Sequence, residues 1–367
     1  MGTEVAWQPE WAVAPGDVLL EAIEERAMTQ VELARRIDRP LKTVNEIIKG
    51  KAAITPDTAI QLERALGIRA SVWNGLETNY REFLARERDM QELEREAAWI
   101  DRFPIKELVR RGLIHTGRTN AETLAALLSF FKVSSPNAWR RHWLEQPTAS
   151  FRASPAFAAN PEAVAAWLRW GEIEAGNIET GTFDSERFRD VLVEIRSLTT
   201  KEPFVMVIDR MRRLCAGAGV AVVLTPEFQG THLSGATRWI SPDKALLQLS
   251  LRHQSDDHFW FSFYHEAGHI LQPGRKQNVV DSSSDMAPGE TGDPSEDAAD
   301  AFARESLIPE NMYESFLAGG DFGTNAVQRF AKEVGIAAGI VVGRLQRDGH
   351  ISQAHLNSLK KRLRWNG

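Results

Sequence analysis

Apolar residues recur at helical spacing along the first part of the chain. In PGDVLLEAIEERA they fall at Val18, Leu19, Ala22 and Ile23, which predicts an amphipathic helix. Thr29 then stands as an N-cap for TQVELARRI, with Glu32 three residues on in the capping-box position. Arg39-Pro40 interrupts the pattern, and LKTVNEIIKG reads as a third short helix ending at Gly50. Thr55-Pro56-Asp57 opens a fourth, closed by Gly67. A fifth starts near Ser71 and runs on through the charged stretch REFLARERDMQELEREAAW as a solvated connector. Residues 99–200 are also read as helical, broken at Phe103-Pro104, Gly112, Ser135-Pro136 and Pro161. Trp99, Trp139, Trp143, Trp167 and Trp170 are the expected core anchors there.

The period changes after residue 218. GVAVVLTPEF, GATRWIS and KALLQLSL are short β-branched or alternating runs bounded by Gly, Pro and Asp, and predict a small sheet. Helices resume at FWFSFYHEAGHIL and PSEDAADAFARESLIP, separated by the polar, Gly/Ser-rich stretch 272–293, which reads as a loop. A C-terminal helical set begins at about residue 323, with Ile336, Ile340 and Leu345 as its core. The expected fold class is mainly α with a small β-sheet (α+β). Three regions are expected: an all-α N-terminal domain over 1–87, a helical middle region over 88–200 and a C-terminal domain over 201–367.

Composition narrows the function. The net charge is −6, so a uniformly basic nucleic-acid coat is excluded but a local basic face is not. Such a face exists: from Arg35 to Lys51 six basic residues stand against two acidic ones, a local net of +4. The lone Cys215 rules out an intrachain disulfide framework or a Cys-rich zinc module. The N-terminal MGTEVAWQPEW lacks the basic start of a signal peptide, and Ala6 stands where myristoylation wants Ser or Thr. No run approaches the roughly 18 apolar residues of a membrane span. A cytoplasmic protein with no membrane partner is expected.

His265-Glu266-Ala267-Gly268-His269 is an HExxH motif. Two His residues four apart on a helix lie about 40° apart around its axis, so both imidazoles can face one ion. The intervening Glu266 is then placed as general base on a metal-activated water. A catalytic zinc site wants a third protein ligand. Glu296 is the best candidate, with Glu290, Asp293 and Asp297 as fallbacks. Asp300, four residues after Glu296 on the same helical face, is placed to orient a ligand histidine. Tyr264, His232, His253, His258 and His350 are candidates for stabilising a transition state.

Together these features resemble the ImmA/IrrE family of zinc metallopeptidases. The likeness runs from about Gly219 to Leu345, through SGATRWISPDKALLQLSLRHQSDDHFWFSFYHEAGHIL and then Glu296, Ala299, Phe302, Ala303, Leu307 and Pro309. Asp300 departs from the family, which often has Asn there. The resemblance implies a zincin-like domain holding Zn2+ through His265, His269 and Glu296. It also implies a protein substrate, typically a transcriptional repressor, which would explain a substrate strand docking on a sheet edge, with GATRWIS the candidate for that edge.

TQVELARRIDRPLKTVNEIIKG has the layout of a helix-turn-helix whose second helix enters the major groove. Lys42, Thr43 and Asn45 are placed to reach base edges. Gln30, Arg39, Lys49 and Lys51 complete the expected DNA-contacting set. Residues 15–80 resemble HigA-type antitoxins of the Cro/C1 (XRE) family, with Pro40 and Leu41 departing from the usual Ser and polar residue. That likeness implies operator DNA, homodimers and repression of the chain's own operon. The expected function is a DNA-binding, antitoxin-like regulator with a zinc-dependent endopeptidase domain that cleaves a repressor or partner. The alternative is a zinc-containing regulator or antitoxin that cleaves nothing.

Overall fold

In a computed structural model the chain is described over residues 11–145, 160–272, 279–281 and 294–364. The architecture is mainly α-helical with one small mixed sheet. The chain divides into two compact units. One comprises Met1–Ala98 with Arg118–Glu122, the other Trp99–Gly117 with Thr123–Gly367.

The first unit is built from α1 (Pro15–Glu24), α2 (Gln30–Arg36), α3 (Leu41–Ile48), α4 (Pro56–Leu66) and the long α5 (Ala70–Arg95). The capping residues act locally as their chemistry requires. The Thr29 hydroxyl accepts the Glu32 N–H, and the Thr55 hydroxyl accepts that of Thr58. Gly67 ends α4 in the left-handed conformation, at φ 75°. Leu19, Ile23, Leu33, Val44, Ile47, Leu62 and Trp73 share one core. A Cβ on Gly16 would lie 2.4 Å from the Ile47 carbonyl oxygen and 2.5 Å from that of Ile48. Only glycine therefore lets α1 seat directly on the end of α3.

The second unit begins with α6 (Ile105–Arg110), most of α7 (Asn120–Phe131) and α8 (Pro136–Arg140). Trp99, Phe103, Phe131, Trp139 and Trp143 form a chain of edge-to-face aromatic contacts there. Trp167 is fully buried, but Trp170 is half-buried, with the Arg111 guanidinium 4.8 Å from its ring centre. It belongs to a surface cation–π contact rather than to the expected core.

Next come α9 (Pro161–Gly176), α10 (Ser185–Leu198) and α11 (Phe204–Gly217), then the sheet. The strands are β1 (Val220–Leu224), β2 (Gly235–Ser241), β3 (Lys244–Leu249) and β4 (Val279–Asp281), in spatial order β1-β3-β2-β4. β1 is parallel to β3; the other pairs are antiparallel. Both faces of β1 and β3 are covered. Val220, Val222, Ala245, Leu247 and Leu249 enter the main core, while Ala221, Val223 and Leu246 pack with Ala175 of α9. This double burial explains why the strands read as continuous apolar runs.

β4 corrects the expectation for GATRWIS. Gly235, Ala236 and Thr237 of β2 pair with Asp281, Val280 and Val279, so this half of β2 is not a free edge. The stretch 272–293, expected to be loop throughout, contributes that strand.

On the main-core face lie α12 (Asp256–Leu271), α13 (Pro294–Leu307), α14 (Glu310–Ala318), α15 (Thr324–Val334) and α16 (Ala338–Arg347). Helix α14 falls in a segment for which the sequence pattern predicted no element. Ile336, Ile340 and Leu345 are buried in the same core. Among the described residues no helix is long and apolar enough to cross a membrane.

Candidate metal centre and nucleic-acid interface

Helix α12 is buried on nearly all sides, and His265, Glu266 and His269 lie within it at 1%, 0% and 8% exposure. Its partner is α13. The approach is set by small residues: a Cβ on Gly268 would meet the Ala299 Cα at 3.1 Å and the Phe302 ring at 3.2 Å. Gly268 and Ala299 thus bring the two helices together, and Glu296, one turn before Ala299, reaches the histidines.

His265, His269 and Glu296 each offer a ligating atom, all within 4.8 Å of one another, and the group could hold a metal ion. The Nε2 atoms of the two imidazoles are 3.0 Å apart. Glu296 places Oε2 at 3.1 Å from His265 Nε2 and Oε1 at 3.5 Å from His269 Nε2. Burial by itself raises the Glu296 carboxyl, but the hydrogen bonds and charges of the two histidines outweigh it and hold the group at about 2. Asp300 puts Oδ1 at 2.8 Å from His265 Nδ1, and its Oδ2 accepts the Arg347 guanidinium at 2.9 Å. Burial raises this carboxyl too, and the His265 bond and the Arg347 charge turn the balance downward. The Arg347 guanidinium also lies 4.5 Å from the centre of the Phe261 ring. His269 Nδ1 is buried and has no hydrogen-bond partner among the described residues.

Glu266 is held from the sheet. The Thr237 hydroxyl on β2 lies 2.6 Å from Glu266 Oε2 and 3.2 Å from its backbone oxygen. A Cβ on Gly235 would fall 2.5 Å from Glu266 Oε1, so the carboxyl fills the space a side chain would take. Sequence reasoning singled out neither Thr237, Gly235 nor Arg347. The fallback ligands Glu290 and Asp293 lie outside the described residues, and Asp297 is not in the ligating group. Tyr264 is buried, its hydroxyl donating to the Leu192 carbonyl at 2.8 Å, so it is a packing residue. His253 and His258 stack on each other at 4.1 Å.

In the N-terminal unit, α3 turns Val44 and Ile47 into the core and leaves Leu41 and Lys42 exposed, with Thr43 and Asn45 half-buried. Lys42 has 84% of its side chain exposed and a loose pairing to Glu46 at 3.8 Å. Lys49 and Lys51 are exposed beyond the helix end. Gln30 is half-buried at the first position of α2. Arg39 is tied down: its Nε donates to Gln61 Oε1 at 2.9 Å.

A capped helix, a tight turn and a second helix with a polar exposed start define a helix-turn-helix protein. Residues 19–73 match the helix-turn-helix family model. The chain is 33% identical over 63 residues to the uncharacterized HTH-type transcriptional regulator YddM of Escherichia coli K12, a match covering 17% of this chain and 67% of that protein. Through this N-terminal segment the chain belongs to the helix-turn-helix family, in its XRE type. Among solved structures, the Pseudomonas aeruginosa antitoxin HigA with higBA promoter is 29% identical over 23% of this chain and 95% of its own, with a TM-score of 0.22. An addiction module antidote protein of the HigA family from Coxiella burnetii is 28% identical over 23% and 92%, with a TM-score of 0.21.

Proposed function

We propose that this chain is a DNA-binding, antitoxin-like transcriptional regulator carrying a zinc-dependent endopeptidase domain of the ImmA/IrrE kind. The observation that carries the peptidase half is the cluster of His265, His269 and Glu296: the two Nε2 atoms lie 3.0 Å apart, with Glu296 Oε2 3.1 Å from the first and Oε1 3.5 Å from the second. If His265 Nδ1 donates to Asp300, its Nε2 presents a lone pair to a carboxylate and to a second imidazole. Such acceptors gather stably only around positive charge. Tetrahedral zinc with bonds of about 2.0–2.1 Å separates its ligands by roughly 3.3 Å, close to these separations. The donor set of two imidazoles and one carboxylate also suits zinc.

When bound there, zinc supplies a Lewis acid and lowers the pKa of a water to about 7. The protein's own residues do the rest. Asp300 fixes the His265 ring and keeps its Nε2 turned inward, and Arg347 fixes Asp300. Glu266 is the proton acceptor, positioned by the Thr237 hydroxyl. A repressor or toxin encoded beside this chain is the proposed protein partner, and operator DNA, bound by a homodimer, the proposed nucleic acid.

One observation favours a second reading, a zinc-containing regulator that cleaves nothing: Glu266 is fully buried with one carboxylate oxygen engaged by Thr237. The test is co-expression with the neighbouring genes' products. The peptidase reading expects a discrete fragment with wild type and none with Glu266→Gln, which retains the metal. Intact partners with both proteins leave the regulator reading standing.

A further inference from the structure

A cavity of about 480 Å³ opens in the second unit beside α12, within the size range of small-molecule sites. Its lining divides by chemistry. Phe261, Leu307, Ile308 and Ile340 give an apolar wall, while Arg304, Arg344, Arg347 and Lys360 bring four cations against the single carboxylate of Asp257. Three of the cations are engaged. Arg344 pairs with Glu310 and Asp348, Arg347 with Asp300, and Lys360 with Asp257 at 2.6 Å. Arg304, on α13, forms no close ion pair among the described residues, and its charge adds to those that lower the Asp300 carboxyl.

The polar groups are more built than a surface crevice requires. Asp257 is 6% exposed, and its Oδ1 has no hydrogen-bond partner among the described residues. The Arg347 Nε is likewise buried without one. The Asp257 carboxyl is seated on α16 at Gly343, where a Cβ would fall 2.6 Å from Oδ2. His258, Phe261 and Ser262 lie seven, four and three residues before His265 on α12, so the cavity follows the same helix one to two turns away from the candidate metal ligands.

From this lining we infer that the cavity is a binding site for a small organic anion with an apolar body, its charged group taken by the Arg304 guanidinium. Three features select that class. The apolar wall excludes a bare inorganic ion as the best occupant. The charge of Arg304, not taken up by a close ion pair among the described residues, disfavours a neutral hydrocarbon. The Arg304 guanidinium, in no close ion pair among the described residues, offers the bidentate fork that carboxylates and phosphates fit. The inference does not depend on peptide cleavage.

The test uses the full-length protein and 4-phenylbutyrate as probe, with 4-phenylbutanol and inorganic phosphate as controls, read by thermal unfolding and titration calorimetry. The acid is expected to raise Tm saturably, with the alcohol and phosphate at least about tenfold weaker. Arg304→Gln is expected to weaken the acid at least about tenfold without altering Tm in its absence. Gln353→Trp, an exposed lining position filled by an indole, gives a second route to the same loss. An alcohol as effective as the acid, phosphate as effective as either, undiminished binding in both variants, or no response to the acid overturns the assignment.

Discussion

The Thr237 hydroxyl lies 2.6 Å from Glu266 Oε2, joining the second strand of the sheet to the central residue of the HExxH helix. Thr237→Val keeps the shape and removes the donor. Leaving a buried carboxyl group without its bond costs about 1–3 kcal/mol. Urea unfolding is expected to show a loss of that size, and Thr237→Ser to recover most of it. A Val variant as stable as wild type would show the contact to be idle.

Gly235 is the other wall of that seat. Its missing Cβ leaves the space that Glu266 occupies, with Oε1 at 2.5 Å and Cγ at 2.7 Å from where the atom would be. Overpacking a buried site typically costs about 1–3 kcal/mol. Gly235→Ala is expected to destabilise by that amount, and Gly75→Ala, where nothing lies within 4 Å, to be neutral or slightly stabilising. The comparison of the two denaturation midpoints checks it.

Metal analysis tests the His265, His269 and Glu296 cluster directly. One zinc per chain is expected in the purified protein, and none in His265→Ala or Glu296→Ala. Asp300→Ala removes only the residue that orients His265, so its zinc affinity should fall about 10–100-fold rather than vanish. Competition with a chromophoric chelator measures this. Full retention of metal in both ligand variants excludes the site.

Asp256, at the start of the same helix, gives a pH prediction away from the histidines. Burial raises its carboxyl to about 6, against the pull of a backbone N–H donated by Lys361 and with help from the charge of Asp257. A carboxyl raised in the folded state adds stability that is complete below its unfolded value of about 4 and is lost as pH rises through about 6. Wild type should therefore lose up to about 3 kcal/mol between pH 4 and 7 that Asp256→Asn does not lose. Parallel pH profiles for the two proteins would sink this account.

For the DNA half, the exposed Lys49 is expected to serve phosphate and Asn45 a base edge. Lys49→Ala should weaken all DNA alike and reduce the salt slope by about 1, whereas Asn45→Ala should cost about 1–3 kcal/mol on the chain's own promoter alone. Fluorescence anisotropy at two salt concentrations separates them. Arg39 is held by Gln61, so Arg39→Ala is expected to act mainly through stability of the unit.

Legibility followed sequence distance. The caps at Thr29 and Thr55 and the stop at Gly67 act within four residues, and the pattern placed those helices closely. The placing of Glu296 and Asp300 on one helical face follows from the 3.6 period. What supports Glu266 was illegible because it comes from a strand about 30 residues away, through a glycine and a threonine with ordinary neighbours. The covering of β2 was missed because β4 is three residues long inside a polar stretch, too short to show alternation. Arg347 was missed because only the packing of α16 brings it to Asp300.

Arg347 lines the cavity and also holds Asp300 through its guanidinium. Two binding equilibria that share one side chain obey reciprocity. A guest that draws Arg347 off Asp300 would loosen His265 and weaken a metal ion there by some factor, and metal loading would weaken that guest by the same factor. A guest that leaves the pair intact would move neither. The sign and size of this linkage are fixed by one guanidinium, which makes Arg347→Lys the substitution most able to separate the two sites.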